Sequence, residues 1–253
     1  MTFETKLRKF LDKYHKGYYI EKYIINDGQK HSVAVICPGG GYHWVCSFIE
    51  GMPYAKKLNH MGYSAIVVHY NCGKGKEYPA PHNDLAHAIK EIMEHSEQWH
   101  LDMENYSLWG SSAGGHLVAS FGTDSIGYKK YGLPKPAAII LSYPVITMYE
   151  KAHKGSRSYL LGDNPSPQML EQASVERQIT VDYPPTFVWH GLADRDVNPV
   201  NSKLLAESLT EKEVEHRYVT YNGVDHGVGI GEGLQCDGWF EKAVRFWESC
   251  FSR

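Results

Sequence analysis

The sequence predicts an α/β fold in which a mostly parallel sheet is covered by helices on both faces. Short apolar runs rich in β-branched residues alternate along the chain with segments whose apolar residues have helical spacing. Strands that are buried on both faces form nearly continuous apolar runs, and their alternation with helices is typical of a parallel sheet. In such sheets the functional residues collect at the carboxyl ends of the strands, and the unusual residues of this chain fall there.

The individual elements follow from the same patterns. Gly62 ends one helical pattern as a C-cap, and Asn83 or Asp84 is expected to begin the next helix as its N-cap. Residues 4–15 are amphipathic and are expected to form a surface helix or a lead-in arm. The predicted strands are 31–37, 63–70, 106–110, 137–144, 186–191 and 216–222, and the predicted core helices are 52–62, 83–99, 113–122, 200–210 and 239–251.

Length and composition favour one globular α/β domain over residues 1–253, with residues 1–30 as a lead-in and residues 148–182 as a short cap. The net charge of −3 gives no reason to expect nucleic acid or an anionic membrane as a partner. The charged N-terminus is not typical of a secretion signal. Five scattered cysteines without C-x-x-C spacing predict free thiols and a cytoplasmic protein. The oligomeric state stays open.

A glycine- and serine-rich stretch, LWGSSAGGHLVASFG, joins a predicted strand to a predicted helix. Within it Gly110–Gly114 fits the pattern G-x-S-x-G and places a candidate nucleophile at Ser112. A plain turn is the alternative for so short a pattern. The strand before it and the helix after it favour a nucleophile elbow, in which the helix N-terminus stabilises developing negative charge.

A serine hydroxyl needs a base to remove its proton, and the chain has fourteen histidines. Enzymes built on this elbow carry their residues in the order serine, acid, histidine. Three histidines lie well downstream near the last strands, and two of them, His190 and His216, fall in or at the end of predicted strands. His226 lies in a glycine-rich loop between the last strand and the last helix, so we predict it as the base.

The acid is expected just beyond the preceding strand, in the segment WHGLADRDVNP. A buried carboxylate there fixes the imidazole tautomer and stabilises the imidazolium. We predict Asp194 as this acid, because Asp196 is also placed to cap the helix that starts near Pro199. Asp225 is adjacent to His226 and is interpreted as a turn residue, since neighbouring side chains rarely face each other.

A third candidate region, CPGGGYHW, directly follows the first predicted core strand. Its glycines let backbone amides approach a ligand, and such donors stabilise the oxyanion of acyl transfer by about 3–4 kcal/mol each. We predict the amides of Gly40, Gly41 and Ala113 as this oxyanion hole. A phosphate loop is disfavoured, because the G-K-[ST] and Rossmann spacings are missing. Tyr42 and Trp44 are candidates for substrate contacts, with plain packing as the alternative.

Several motifs together resemble the α/β-hydrolase superfamily and, within it, the bacterial esterases of the acetyl-xylan-esterase-like (BD-FAE-like) group. The resemblance implies an α/β-hydrolase fold and a serine carboxylesterase of short acyl groups, often acetyl on sugars or xylan fragments. It implies no cofactor and no metal. It places the nucleophile on Ser112, the acid on Asp194 and the base on His226, with Gly40 and Gly41 in the oxyanion loop. The motifs are PGGGY, EGMPYAKKLNHMGYSAIVVHY, YPAPHNDLAHAI, GSSAGGHLVAS, YLLGDNPSP, PPTFVWHGLADRDV and DHG.

Two further functions stay open at this stage. The same residues could serve an amidase or exopeptidase, because the segment HGLADRDV is also similar to the acid loop of oligopeptidases. A non-catalytic binding module on the same fold is disfavoured, since such proteins typically lose one residue of the serine, acid and histidine set. For an esterase, an amidase or an exopeptidase, the expected partner is a small-molecule substrate.

Overall fold

A computed structural model describes residues 17–251. Its strands are β1 (Tyr19–Tyr23), β2 (His31–Cys37), β3 (Ser64–His69), β4 (Leu101–Ser111), β5 (Ala138–Ser142), β6 (Thr186–Gly191) and β7 (His216–Tyr221). They form one sheet with the order β1-β3-β2-β4-β5-β6-β7, in which β1 is antiparallel to β3 and every other neighbouring pair is parallel.

Helices cover both faces of this sheet, and the two faces carry separate apolar clusters. Alternate residues of β2 enter different clusters, Val33 and Val35 on one face and Ala34 and Ile36 on the other, as the period of two in a strand requires. The helices are α1 (Ser47–Glu50), α2 (Met52–His60), α3 (Ala80–Glu94), α4 (Ser112–Phe121), α5 (Lys154–Leu161), α6 (Pro167–Ala173), α7 (Val200–Glu211) and α8 (Trp239–Glu248), with a 3₁₀ turn at Val175–Arg177. Helices α3, α4 and α7 pack on the first face, and α2 and α8 on the second.

The predicted mostly parallel sheet with helices on both faces is confirmed, and the strands predicted at 31–37 and 186–191 have these bounds in the structure. The start predicted for the helix at 83–99 is wrong, because α3 begins at Ala80. Pro81 is tolerated there, since the amides of a first turn have no intrahelical acceptor. Asp84 is not a cap, and its carboxylate accepts the amide of Asn71 at 2.7 Å.

Strand β1 lies inside the segment that was predicted as a lead-in. It is an edge strand with no fully buried residue and no continuous apolar run, so the pattern that predicts buried strands does not detect it. The helix or arm predicted for residues 4–15 lies outside the described residues.

Between residues 17 and 251, no helix combines the length and the apolar character that a bilayer crossing requires.

Candidate active site

Ser112 lies at the sharp turn between β4 and α4, with φ at +52°. This left-handed conformation is strained for a residue with a Cβ, and it persists only where the surroundings enforce it. The flanking glycines permit the turn: a Cβ on Gly110 would lie 2.4 Å from the Gly114 oxygen, and one on Gly114 would lie 2.1 Å from the Cys37 oxygen. The strand–turn–helix elbow predicted at Gly110–Gly114 is therefore present.

His226 reaches this serine from the loop after β7. Its Nε2 lies 2.9 Å from the Ser112 Oγ, and its Nδ1 lies 2.6 Å from Oδ2 of Asp194. A carboxylate only accepts hydrogen bonds, so Nδ1 carries the proton and Nε2 accepts from the serine hydroxyl. The three predicted residues, which are distant in sequence, are thus brought together in one hydrogen-bonded chain.

Asp194 lies in the loop between β6 and α7, and its side chain is fully buried. Its Oδ1 accepts the amides of Asp196 and Val197 at 3.0 and 2.8 Å. Burial acts to raise the pKa of Asp194, but the hydrogen bonds from His190 and His226 outweigh it and hold the pKa well below its usual range. These hydrogen bonds therefore favour the ionised form of the carboxylate.

A fourth residue, His190, contacts the same carboxylate. Its Nε2 lies 3.0 Å from Oδ2 of Asp194, and its Nδ1 lies 2.7 Å from the hydroxyl of Ser202. The sequence pattern does not mark this histidine as functional, because it ends a predicted strand. The signal that could have found it is its position four residues before Asp194, within HGLAD.

Asp196 does not cap the helix near Pro199. It lines the cleft above Ser112, and the amide of Val200 is instead accepted by the side chain of Asn198 at 3.0 Å. Asp225 forms an ion pair with Arg195 and accepts the amide of His226, so the turn role predicted for it fits the structure.

The predicted oxyanion donors lie next to the elbow. Gly40 and Gly41 line the same cleft as Ser112, both with positive φ, and within residues 17–251 their amides have no hydrogen-bond acceptor. The amide of Ala113, the second residue of α4, has no intrahelical acceptor either. The amide of Gly39 is not available to an oxyanion, because it donates to Glu50 at 2.7 Å. The oxyanion role stays a prediction that this geometry permits.

An open cleft of about 440 Å³ surrounds the Ser112 hydroxyl. Trp44, one of the two predicted substrate contacts, lines this cleft and is 61% exposed. The prediction for Tyr42 is wrong: its side chain is 1% exposed and its hydroxyl lies 2.8 Å from Nδ1 of the buried His116. A buried phenol needs such a partner, and this contact holds Tyr42 in the core and away from the cleft.

The electrostatics around His226 favour its protonated form. Burial acts to lower the pKa of His226, but the hydrogen bond and charge of Asp194 outweigh it, and the charges of Glu50 and Asp196 add to them. The net result is a pKa above the ordinary value of 6.5. The imidazole is thus a stronger base than an isolated histidine.

This raised pKa predicts the pH dependence of ester hydrolysis. A general base acts only when neutral, so kcat/KM is expected to fall by about tenfold per pH unit as the pH drops through the pKa of His226. The inflection should lie above the ordinary 6.5, because the shift is upward. Measuring kcat/KM for an acetate ester from about pH 4 to about pH 9 tests the predicted position of the inflection. An acid limb centred below the ordinary value would contradict the assignment.

The sheet order, the strand–turn–helix elbow at Ser112 and the loops that follow β6 and β7 define the class of protein. The chain is an α/β-hydrolase. Residues 23–209 match the sequence model of the BD-FAE family, and the chain belongs to this family.

Two proteins of known name are similar to most of this chain. It is 30% identical over 226 residues to endo-1,4-beta-xylanase B of Butyrivibrio fibrisolvens, covering 86% of this chain and 35% of that protein. It is 29% identical over 199 residues to the acetylxylan esterase of Xylanibacter ruminicola, covering 77% of this chain and 40% of that protein. The chain therefore spans well under half the length of these two relatives.

A solved structure extends the comparison to nearly the full length of both chains. The acetyl ester-xyloside bifunctional hydrolase of Caldicellulosiruptor lactoaceticus superimposes with a TM-score of 0.84 at 30% identity. The match covers 92% of this chain and 88% of that chain. The resemblance to this group that the sequence motifs indicate is thus confirmed.

Proposed function

We propose that this protein is a serine carboxylesterase that hydrolyses short acyl esters, acetyl esters of sugars or xylan fragments in particular. The observation that carries the proposal is the hydrogen-bonded chain from Ser112 through His226 to Asp194 at the floor of an open cleft. The free amides of Gly40 and Gly41 beside it supply donors for an oxyanion.

The chemistry proceeds through an acyl-enzyme. His226 Nε2 takes the proton of Ser112 as Oγ attacks the ester carbonyl, and the oxyanion forms opposite the amides of the glycine loop. The same histidine donates that proton to the leaving alcohol when the C–O bond breaks. A water molecule that His226 deprotonates then attacks the acyl-enzyme and releases the acid and the free serine.

The cleft supports a short acyl group and a sugar as the alcohol. Residues 148–182, which we propose as a short cap, contribute to its wall only His153, Gly155 and Tyr159. The exposed Trp44 and the stacked pair of His43 and Tyr159, with ring centroids 4.6 Å apart, offer flat apolar faces to a sugar ring. Xylan and acetyl esters appear in the names of the relatives described above, which supports the same substrate class.

The test is hydrolysis of p-nitrophenyl esters of increasing length together with acetate release from acetylated xylo-oligosaccharides. We expect kcat/KM to be higher for the acetate than for the octanoate by about tenfold or more, because the cleft that residues 17–251 form around Ser112 is open and the proposed cap adds little to its wall. Acetate release from the oligosaccharides should exceed that from a simple alkyl acetate. A preference for the octanoate would contradict the short-acyl claim.

A matched pair of variants locates the alcohol side of the substrate. Trp44→Ala is expected to raise KM for the acetylated oligosaccharide and to leave p-nitrophenyl acetate nearly unchanged. Phe48→Ala is the control, because Phe48 is 83% exposed and is not among the residues that line the cleft. Equal effects of the two variants would contradict a sugar contact for Trp44.

A cytoplasmic location and an organisation as one α/β domain stay predictions. Cys37, Cys46, Cys72 and Cys236 are present as thiols, which supports a reducing compartment. The two core clusters pack on opposite faces of the same sheet, which supports a single domain.

A further inference from the structure

A buried carboxylate, that of Glu50, lies beside the proposed catalytic residues and takes no part in the proton transfers above. Glu50 is the last residue of α1, is 4% exposed and lines the same cleft as Ser112. Burying a charge is costly unless hydrogen bonds compensate it. Burial raises the pKa of Glu50, and the hydrogen bonds from Tyr143 and Gly39 offset part of that rise. Both carboxylate oxygens of Glu50 have such partners, and each partner belongs to a different part of the site.

The first partner is the oxyanion loop. Oε2 of Glu50 accepts the amide of Gly39 at 2.7 Å, directly before the free amides of Gly40 and Gly41. Gly39 itself is pressed against the elbow, since a Cβ there would lie 2.8 Å from the Cβ of Ser112 and 2.7 Å from Oε2 of Glu50. The carboxylate therefore fixes the loop at the point where it meets the nucleophile.

The second partner of Glu50 is Tyr143, which connects it to the loop that carries His226. Oε1 of Glu50 accepts the hydroxyl of Tyr143 at 2.8 Å, and the Tyr143 oxygen in turn accepts the amide of Gly229 at 3.0 Å. The ring of Tyr143 packs edge-on against His226, with centroids 4.8 Å apart. Glu50 and Tyr143 thus connect residue 39 of the oxyanion loop to residue 229 of the histidine loop through three hydrogen bonds.

The charge of Glu50 also acts on His226. Several other groups face this imidazole: Asp194 and Asp196 from the loop after β6, Tyr143 from the segment after β5, and His153 from the segment before α5. The adjacent Asp225 is paired with Arg195. Glu50 adds a negative charge from a further element, α1, and this charge favours the imidazolium that forms during each proton transfer.

We propose that Glu50 is a positioning residue, which ties the oxyanion loop to the loop of the base and stabilises the imidazolium of His226. The proposal rests on the esterase function proposed above and deepens it. Glu50 makes no contact with the reacting atoms, so its effect is transmitted through the Gly39 amide, the Tyr143 hydroxyl and its charge.

Glu50→Gln is the first test, because the amide has the shape of the carboxylate but no charge. Its oxygen can still accept from Gly39, and its NH₂ can donate to the oxygen of Tyr143. We expect kcat for p-nitrophenyl acetate to fall by about tenfold or more, with KM little changed. The acid limb of the kcat/KM profile should move to lower pH by about half a unit, since a negative charge near the imidazolium is lost.

Tyr143→Phe is the matched variant, because it keeps the carboxyl group of Glu50 and removes the hydroxyl that links the two loops. We expect kcat to fall while the acid limb stays at its original pH. A role in packing alone would not separate the two variants in this way. The comparison also holds if Glu50→Gln fails to fold, since a wild-type kcat for Tyr143→Phe would by itself overturn the link.

A Glu50→Gln protein that keeps both the wild-type kcat and the wild-type acid limb would overturn the proposal. Failure of the esterase function is recognised separately, because the unmutated chain would then hydrolyse no ester. Circular dichroism and thermal unfolding of each variant establish that the fold is intact before the kinetics are compared.

Discussion

Ser112→Ala is expected to abolish ester hydrolysis, with kcat for p-nitrophenyl acetate falling by about five to six orders of magnitude. Without Oγ no acyl-enzyme forms, and the imidazole of His226, 2.9 Å from Oγ in the unmutated chain, has no hydroxyl to deprotonate. The strained φ of +52° is common to serine and alanine, so thermal unfolding should change little. Steady-state kinetics and labelling by a fluorophosphonate probe measure the effect.

Ser111→Ala is the control for this substitution. Ser111 is the neighbouring hydroxyl, and its Oγ donates to the hydroxyl of Tyr54 at 3.2 Å and does not reach His226. We expect this variant to keep its reaction with the probe and most of its activity. Equal labelling of Ser112→Ala and the unmutated protein would refute Ser112 as the nucleophile and would favour a non-catalytic or differently organised site.

Asp194→Asn is expected to lower kcat by about 10⁴-fold. The carboxylate accepts from His226 and His190 at one oxygen and from the amides of Asp196 and Val197 at the other. An amide has one accepting oxygen, which the two backbone donors occupy, so its NH₂ faces Nδ1 of His226. The histidine then holds its proton on Nε2 and cannot accept one from Ser112.

Asp196→Asn separates this effect from a general loss of negative charge. Asp196 lines the cleft and is exposed, so its charge is screened by solvent and its removal should change kcat by less than about fivefold. Measuring kcat for both variants, with thermal unfolding as the check on folding, completes the comparison. An Asp194→Asn protein with more than about a tenth of the original activity would contradict the role of the buried acid.

Sequence by itself determined the elements that local pattern specifies. Strands β2 and β6 are dominated by apolar runs, so their bounds follow from the sequence pattern. Glycines at 110 and 114 reveal the elbow, because no residue with a Cβ fits between β4, α4 and the Cys37 carbonyl. The order of Ser112, Asp194 and His226 along the chain also follows from sequence, since each comes after a predicted strand.

Tertiary structure decided the contacts that no local pattern encodes. Edge strand β1 has no fully buried residue, and within residues 17–251 it pairs with β3 alone, so its strand character arises from that partner. Tyr42 follows the glycine loop as closely as Trp44 does, yet a hydrogen bond to the distant His116 holds it in the core. No local sequence pattern distinguishes Glu50 or His190 from other helix and strand residues. Their importance arises because the parallel sheet brings residues from distant parts of the chain to one edge, where Glu50 meets Gly39 and Tyr143, and His190 meets Asp194.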